Sequence, residues 1–180
     1  MTSNDVCTLR IYVASLADYN AGRLHGDWIV LDSDVDRIWQ KIQAILDTSD
    51  EPIAEEWAIH DSEGFGPVGV REHESLASLA RVAEGVDRYG PSFLAALSLC
   101  GGVSDVEEAF KRIEDGYQGA WDSVRDWVEE LMEDCHGREL EALPPLLRYA
   151  IDWDEVAREL ELSGDVETVE MQNQQHIFWR

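Results

Sequence analysis

Lysine is almost missing from this sequence. Its 180 residues carry 14 Lys plus Arg, only two of them Lys, against 38 Asp plus Glu, for a formal charge of −24 and a pI near 4.3. So few cations cannot neutralise a phosphate backbone or an anionic bilayer, which argues against nucleic acid and membrane as partners. Cysteine is scarce and odd in number: Cys7, Cys100 and Cys135 lie far apart with no CxxC pair, so neither a disulfide framework nor a zinc site is expected and a reducing cytoplasm fits. No run approaches the roughly 18 apolar residues of a spanning helix, and the start MTSNDVCTLR lacks a basic region followed by an apolar one. Neither a membrane span nor a standard export signal is expected. Internal repeats and low-complexity linkers are lacking as well.

What is present is enough apolar material for a core: 44% hydrophobic residues with seven Trp. Charge is unevenly spread. Residues 1–26 are neutral, 27–63 carry −9, 64–104 carry −1, 105–141 carry −9 and 142–180 carry −5. Uniform acidity would suit salt adaptation or general solubility, whereas two negative blocks around a nearly neutral one suggest a shaped surface for a basic partner.

Along the chain, residues 8–14 (TLRIYVA) read as a strand, 18–26 as a loop and 28–31 as a second strand. A helix is expected over 34–46, with Val35, Ile38, Trp39, Ile42, Ile45 and Leu46 on its core face, and a third strand over 56–60. The breaker cluster GFGPVG opens a helical segment, with one helix through Leu76, Leu79, Ala80 and Ala83 stopping before Gly90-Pro91 and another over 92–100. Ser104-x-x-Glu107 is a capping-box pattern for a helix carrying Val106, Ala109, Phe110 and Ile113 inward. A turn holding Tyr117, Gly119 and Trp121 joins it to a second helix, opened by Ser123, with Val124, Trp127, Val128 and Leu131 inward. Pro144-Pro145 starts a helix to about 151, Asp152-x-x-Glu155 caps another with Trp153, Val156, Ala157 and Leu160 inward, and 166–170 with 176–179 form a terminal hairpin.

The segment 104–137 is the centre of the functional reading. On its second helix Asp126, Glu129, Glu130 and Glu133 share the wet face, with Asp134 beside them. Like charges at i,i+4 cost roughly 0.2–0.5 kcal/mol per pair, so stability alone does not select them. Five carboxylates over about 12 Å of helix give one charge about every 2.5–3 Å. A single DNA strand presents one about every 3.4 Å. The densities are comparable.

Other constellations carry less. Asp32, Asp34 and Asp36 imitate the start of a calcium loop, but its sixth and twelfth positions are Arg37 and Gln43 rather than Gly and Glu. Gly64, Gly66 and Gly69 satisfy G-x-G-x-x-G as a string, yet Pro67, Asp61 and Glu63 are wrong for a pyrophosphate and no βαβ pattern surrounds them. His25, His60, His73 and His136 show no metal-ligand spacing and no nucleophile elbow. Among 38 acids some pair always sits at catalytic separation, so carboxylate pairs carry no signal. No enzyme, cofactor or metal is expected.

Three separated strings resemble the ArdA-type antirestriction proteins. The first is DYNAGRLHGDW, in which Tyr19, Asn20, Gly22, Gly26 and Trp28 match that family's YN-x-G-x-x-x-G-x-W stretch. The second is HDSEGF, with Asp61, Glu63, Gly64 and Phe65, followed by EHESL. The third runs through Tyr117, Gly119, Asp122, Ser123 and Trp127 to Glu133 and Asp134. The resemblance implies a non-catalytic, DNA-mimicking inhibitor that occupies the DNA-binding cleft of type I restriction-modification enzymes, works as a homodimer and binds no nucleic acid.

The resemblance also implies an α+β fold drawn out as an elongated chain of three small domains. These are a small antiparallel sheet plus helix (1–61), a helical segment (62–104), and helices plus a small antiparallel sheet (105–180). The expected partner-binding surface is the acids of both negative blocks: Asp105, Glu107, Glu108, Glu114, Asp115 and Asp122 with the five from Asp126 to Asp134, and Asp32, Asp34, Asp36, Asp50, Glu51 and Glu55. A homodimer is expected additionally because 176–179 (HIFW) would be a liability as a bare sheet edge. Two readings stay open beside this one: an acidic module for another basic DNA-binding protein, and an acidic surface that serves only solubility or a saline cell.

Overall fold

The computed structural model describes residues 8–180; residues 1–7, Cys7 among them, lie outside the described residues. The fold is α+β, with eight helices and two three-stranded antiparallel sheets among the described residues. The chain divides into two compact units, residues 1–111 and 112–180.

In the first unit β1 (Arg10–Ser15), β2 (Gly26–Val30) and β3 (Trp57–Glu63) form a sheet in the order β2-β1-β3. The apolar alternation of β1 places Ile11 and Val13 in the core without exposure. β3 runs three residues beyond the expected strand because the register slips at His60: Tyr12 faces Asp61 and Val13 faces Ile59, which leaves His60 as the extra residue of a bulge. Between β1 and β2 the expected loop begins as a short helix, α1 (Leu16–Asn20), capped by Ser15, whose hydroxyl accepts from the Asp18 amide at 3.4 Å.

The helix α2 (Val35–Leu46) buries Ile38, Ile42 and Leu46. Val35 and Trp39, expected in the core, are 37% and 40% exposed. They lie on the flank of the stripe centred on Ile38 and Ile42, so the apolar face is wider than the contact it makes. α3 (Leu76–Tyr89) and α4 (Pro91–Leu99) follow, the first capped by Ser75 and the second opening on Pro91. They meet closely because Gly85 has no side chain: a Cβ there would lie 2.4 Å from the Phe93 ring. Ser104 caps nothing. It sits inside a 3-10 turn, Val103–Asp105, whose Val103 is buried, and α5 (Val106–Gly116) starts directly from that turn.

In the second unit β4 (Tyr117–Trp121), β5 (Val166–Met171) and β6 (Gln174–Trp179) form a sheet in the order β4-β6-β5. Two expectations are corrected here. The supposed turn at Tyr117, Gly119 and Trp121 is a strand, and its turn chemistry serves a bulge: Tyr117 pairs with Phe178 and Gly119 with Ile177, so Gln118 is extra, and Gly119 takes φ +106°. The strand holding residues 176–179 is the centre of the sheet, not an edge, so the edge argument for a dimer does not apply. The hairpin of β5 and β6 turns on Gln172 and Asn173, both at positive φ as a two-residue I′ turn requires.

The helix α6 (Val124–Ala142) is longer than expected and breaks at His136, whose φ −131° and ψ 19° are not helical. The helix expected from Pro144 to 151 is a single turn, α7 (Pro145–Arg148). α8 (Trp153–Ser163) is capped by Asp152, whose carboxylate accepts from the Glu155 amide at 3.1 Å. The core of this unit is Trp127, Val128, Ala157, Val166 and Ile177, with Val124, Leu131, Trp153, Val156 and Leu160 packed partly buried around it. α6 and α8 therefore cover the sheet with one face each and keep the other in water.

Candidate partner-binding surface

The acids of the first unit are set largely by helix starts. Asp34 is the N-cap of α2 and accepts from the Asp36 amide at 2.9 Å, while Asp32 accepts from the Asp34 amide at 3.0 Å. That backbone hydrogen bond, helped by Arg37, lowers the Asp32 carboxyl below its ordinary value. The triplet that imitates a calcium loop is thus a turn and cap that keeps negative charge at the positive end of a helix. Asp36, Asp50 and Glu55 are exposed.

Several acids of the expected surface are already engaged by arginine. Glu51 pairs with Arg23, which also reaches the buried carboxylate of Asp18 at 3.1 Å. Glu107 receives two hydrogen bonds from Arg81, at 2.7 and 3.0 Å, and these lower its pKa. The same guanidinium pairs with Glu84 and lies 4.1 Å from the centre of the Phe110 ring, so Arg81 ties α3 to the start of α5. Asp105 and Glu108 are exposed.

In the second unit Glu114, Asp115 and Asp122 are exposed, and α6 carries the densest stripe. Ser123 and Asp126 cap each other: the serine hydroxyl accepts from the Asp126 amide at 3.1 Å and donates to its carboxylate at 2.6 Å. Trp127 and Val128, buried in the core, hold the helix down and turn Asp126, Glu130, Glu133 and Asp134 into solvent, with Glu129 half-buried. Arg125 lies within 3.7 Å of Asp126, 3.3 Å of Glu129 and 3.8 Å of Asp154, and Arg148 comes within 3.6 Å of Glu133. The like-charge cost along α6 is therefore partly offset within the protein. These arginines were not among the expected site residues; Arg125 stands four residues before Glu129, an orientation less favourable than the reverse, and Arg148 arrives from another helix.

The motif residues hold the fold together. Gly26 and Gly64 occupy points where a Cβ would come within 2.3 and 2.4 Å of the Val13 and Thr8 carbonyl oxygens. Trp28 meets Tyr12 edge-on at 5.6 Å beneath the Arg10 guanidinium, which also pairs with Glu63. Tyr19 meets His60 edge-on at 4.9 Å, with exposed Asn20 and Gly22 turning the chain after α1. Asp61 accepts from the Ser62 amide beside the bulge, and Phe65 is buried. Trp127 packs edge-on against Trp179 at 5.4 Å, and the Tyr117 hydroxyl approaches His176.

Exposed carboxylates on packed helices attract cations. The family model for the antirestriction protein ArdA matches residues 11–173, a span that contains all three motif strings. The chain belongs to the ArdA antirestriction family. No curated protein matches it. ArdA proteins are non-catalytic inhibitors of restriction-modification enzymes, so antirestriction is the activity that membership brings. Among the described residues, no helix is long and apolar enough to cross a membrane.

Proposed function

We propose that this protein is a stoichiometric DNA mimic that occupies the DNA-binding cleft of type I restriction-modification enzymes, in the cytoplasm and without catalysis, cofactor or bound nucleic acid. The observation that carries the reading is the stripe from Asp126 to Asp134, held outward by the burial of Trp127 and Val128. A DNA-binding cleft is lined by Lys and Arg placed to meet phosphates, and much of its affinity comes from releasing counterions. Carboxylates at phosphate-like spacing on a folded body elicit the same response. The acids of α2, α5 and the 50–55 loop extend the anionic character beyond α6, to both of the negative blocks read from the sequence.

The reading includes a homodimer. Its support is a knuckle around α7 in which Leu146 and Tyr149 are 82% and 88% exposed, with Leu143 and Leu147 beside them. Apolar residues this bare and this close together suit a protein interface.

The test is a titration of the protein into a type I restriction enzyme bound to labelled DNA at low salt. Displacement near one equivalent supports the reading, and none at any ratio removes it. Capture of a different basic DNA-binding protein in place of the restriction enzyme would assign the surface to that partner instead.

A further inference from the structure

The five acids on α6 do not form one uniform face. At about 100° per residue, taking Asp126 as zero, Glu129 and Glu133 fall near about −60° and −20° while Glu130 and Asp134 fall near about +40° and +80°. The stripe is thus two rails on either side of Asp126. Arg125, at about −100° on the same wheel, lies on the side of the first rail. Its guanidinium reaches Glu129, and Arg148 reaches Glu133. A groove of about 490 Å³ lies along that side, where Arg125 and Arg148 face Glu129 and Glu133 with Tyr149 and Trp153 as neighbours. Two cations and two anions balance there. Among the described residues, no ion pair involves Glu130 or Asp134.

We propose that Arg125 and Arg148 determine which part of the antirestriction surface a cationic partner meets, acting as tethered counter-ions that screen the Glu129–Glu133 rail and leave the Glu130–Asp134 rail as the working one. This rests on reading the α6 stripe as a partner-binding surface. The physical ground is counter-ion release. A free sodium ion beside Glu130 or Asp134 leaves when a partner's ammonium or guanidinium arrives, and its release favours binding. A tethered guanidinium stays nearby and competes for the same carboxylate, so a partner gains less there. The pairs made by Arg125 and Arg148 are exposed and span 3.3–3.8 Å, beyond close hydrogen-bond distance. They screen the rail without locking it.

The experiment compares two variants of equal charge, E130Q/D134N and E129Q/E133Q, in the full chain, with decalysine as the cation and affinity followed from low to moderate salt. E130Q/D134N removes two i,i+4 repulsions from α6, at 126/130 and 130/134, and E129Q/E133Q removes one, at 129/133, and circular dichroism confirms that the helices are kept. The expected result is a loss of affinity several-fold greater for E130Q/D134N, with a flatter salt dependence, and little change for E129Q/E133Q. R125Q/R148Q should bind decalysine more tightly at low salt and with a steeper salt dependence, whereas R125K/R148K should match the wild type. R158Q, which removes a cation paired with Glu155 on α8, controls for net charge and should fall short of the R125Q/R148Q gain. Equal losses in the two acid variants, or an R125Q/R148Q gain no larger per charge than that of R158Q, overturn the proposal. The same decalysine difference in a protein that fails to displace DNA from a type I enzyme would remove the mimic reading and leave the screening intact.

Discussion

The Tyr117 hydroxyl and His176 Nδ1 lie 3.0 Å apart, which ties the bulged strand β4 to the central strand β6 through two side chains rather than through the ladder alone. The imidazole is buried, and burial lowers its pKa below the ordinary value. In the unfolded chain it titrates near about 6.5. His176 is therefore neutral in both states above that pH, and only the unfolded state takes up a proton just below it. Stability is lost as pH falls from about 6.5 toward the folded value, by at most about 1.4 kcal/mol per pH unit. Lower pH also relieves repulsion among 38 acids, so the measurement is a difference. Urea denaturation at several pH values from 7.5 to 5 should show a more acid-sensitive wild type than H176Q. Parallel profiles would refute the assignment.

Asp18 predicts a second, more acidic transition. Its carboxyl is buried yet held down to about 2, first by the Ser49 hydroxyl, then by Ser15 and Arg23 and by the charge of His25, against the opposing effect of burial. A depressed carboxyl contributes stability above its unfolded value of about 3.9, and that contribution is lost as pH falls through the folded value. D18N keeps the shape but leaves Arg23 with Glu51 alone. We expect a lower melting temperature at pH 7 and a smaller loss between pH 4 and 2 than in the wild type, read by thermal melts across that range. An unchanged acid limb would show that this network does not set it.

Two glycines in helices should respond in opposite ways to alanine. At Gly85 the new Cβ would meet Phe93 at 2.4 Å, so G85A is expected to cost about 1–3 kcal/mol through overpacking. At Gly137 nothing lies within 4 Å, and alanine there should be neutral or stabilise by up to about 1 kcal/mol from helix propensity. Chemical denaturation of the two variants decides both signs.

How far the sequence discloses this molecule follows from the range of the interactions involved. Caps at Ser123 and Asp152 depend on residues three positions away, so they are legible and set the helix starts, whereas the same local pattern at Ser104 falls inside a 3-10 turn and caps nothing. Tyr117 to Trp121 reads as a turn because Gly119 is a turn former between two helical patterns, and only pairing with β6, more than fifty residues later, makes it a bulged strand. The place of residues 176–179 at the centre of a sheet is set by the same long-range pairing. The acidic stripe is visible from spacing alone. Arg148, which reaches Glu133 from α7, is not, because no period connects a residue on one helix to its partner on another.

The exposed knuckle at Leu146 and Tyr149 makes the dimer testable. Burying a large apolar side chain is worth about 1.5–3 kcal/mol, and each 1.4 kcal/mol is tenfold in affinity. L146D/Y149D should therefore weaken self-association by roughly 100-fold or more while leaving the helix content unchanged, since both side chains are in water within one chain. Sedimentation over a concentration series reads this directly. A variant that associates as the wild type does would place the interface elsewhere, and a wild type that stays monomeric would remove the dimer.

The last prediction separates folding from function on α6. E129Q/E130Q/E133Q removes the three i,i+4 repulsions at 126/130, 129/133 and 130/134, a gain of roughly 0.6–1.5 kcal/mol from pairs worth about 0.2–0.5 each. It also removes the ion pairs of Glu129 with Arg125 and of Glu133 with Arg148, both exposed and each worth roughly 0.2–1 kcal/mol. Net stability should be unchanged or slightly higher. If these carboxylates stand in for phosphates, inhibition of a type I enzyme should weaken and its salt dependence flatten, because fewer counterions are released. Of the single substitutions E130Q should weaken inhibition most, since Glu129 and Glu133 are already paired with Arg125 and Arg148. Melting temperature and inhibition, measured on the same samples, separate the two roles: lower inhibition at equal or higher stability assigns the acids to the partner, and inhibition equal to that of the wild type assigns them to solvent.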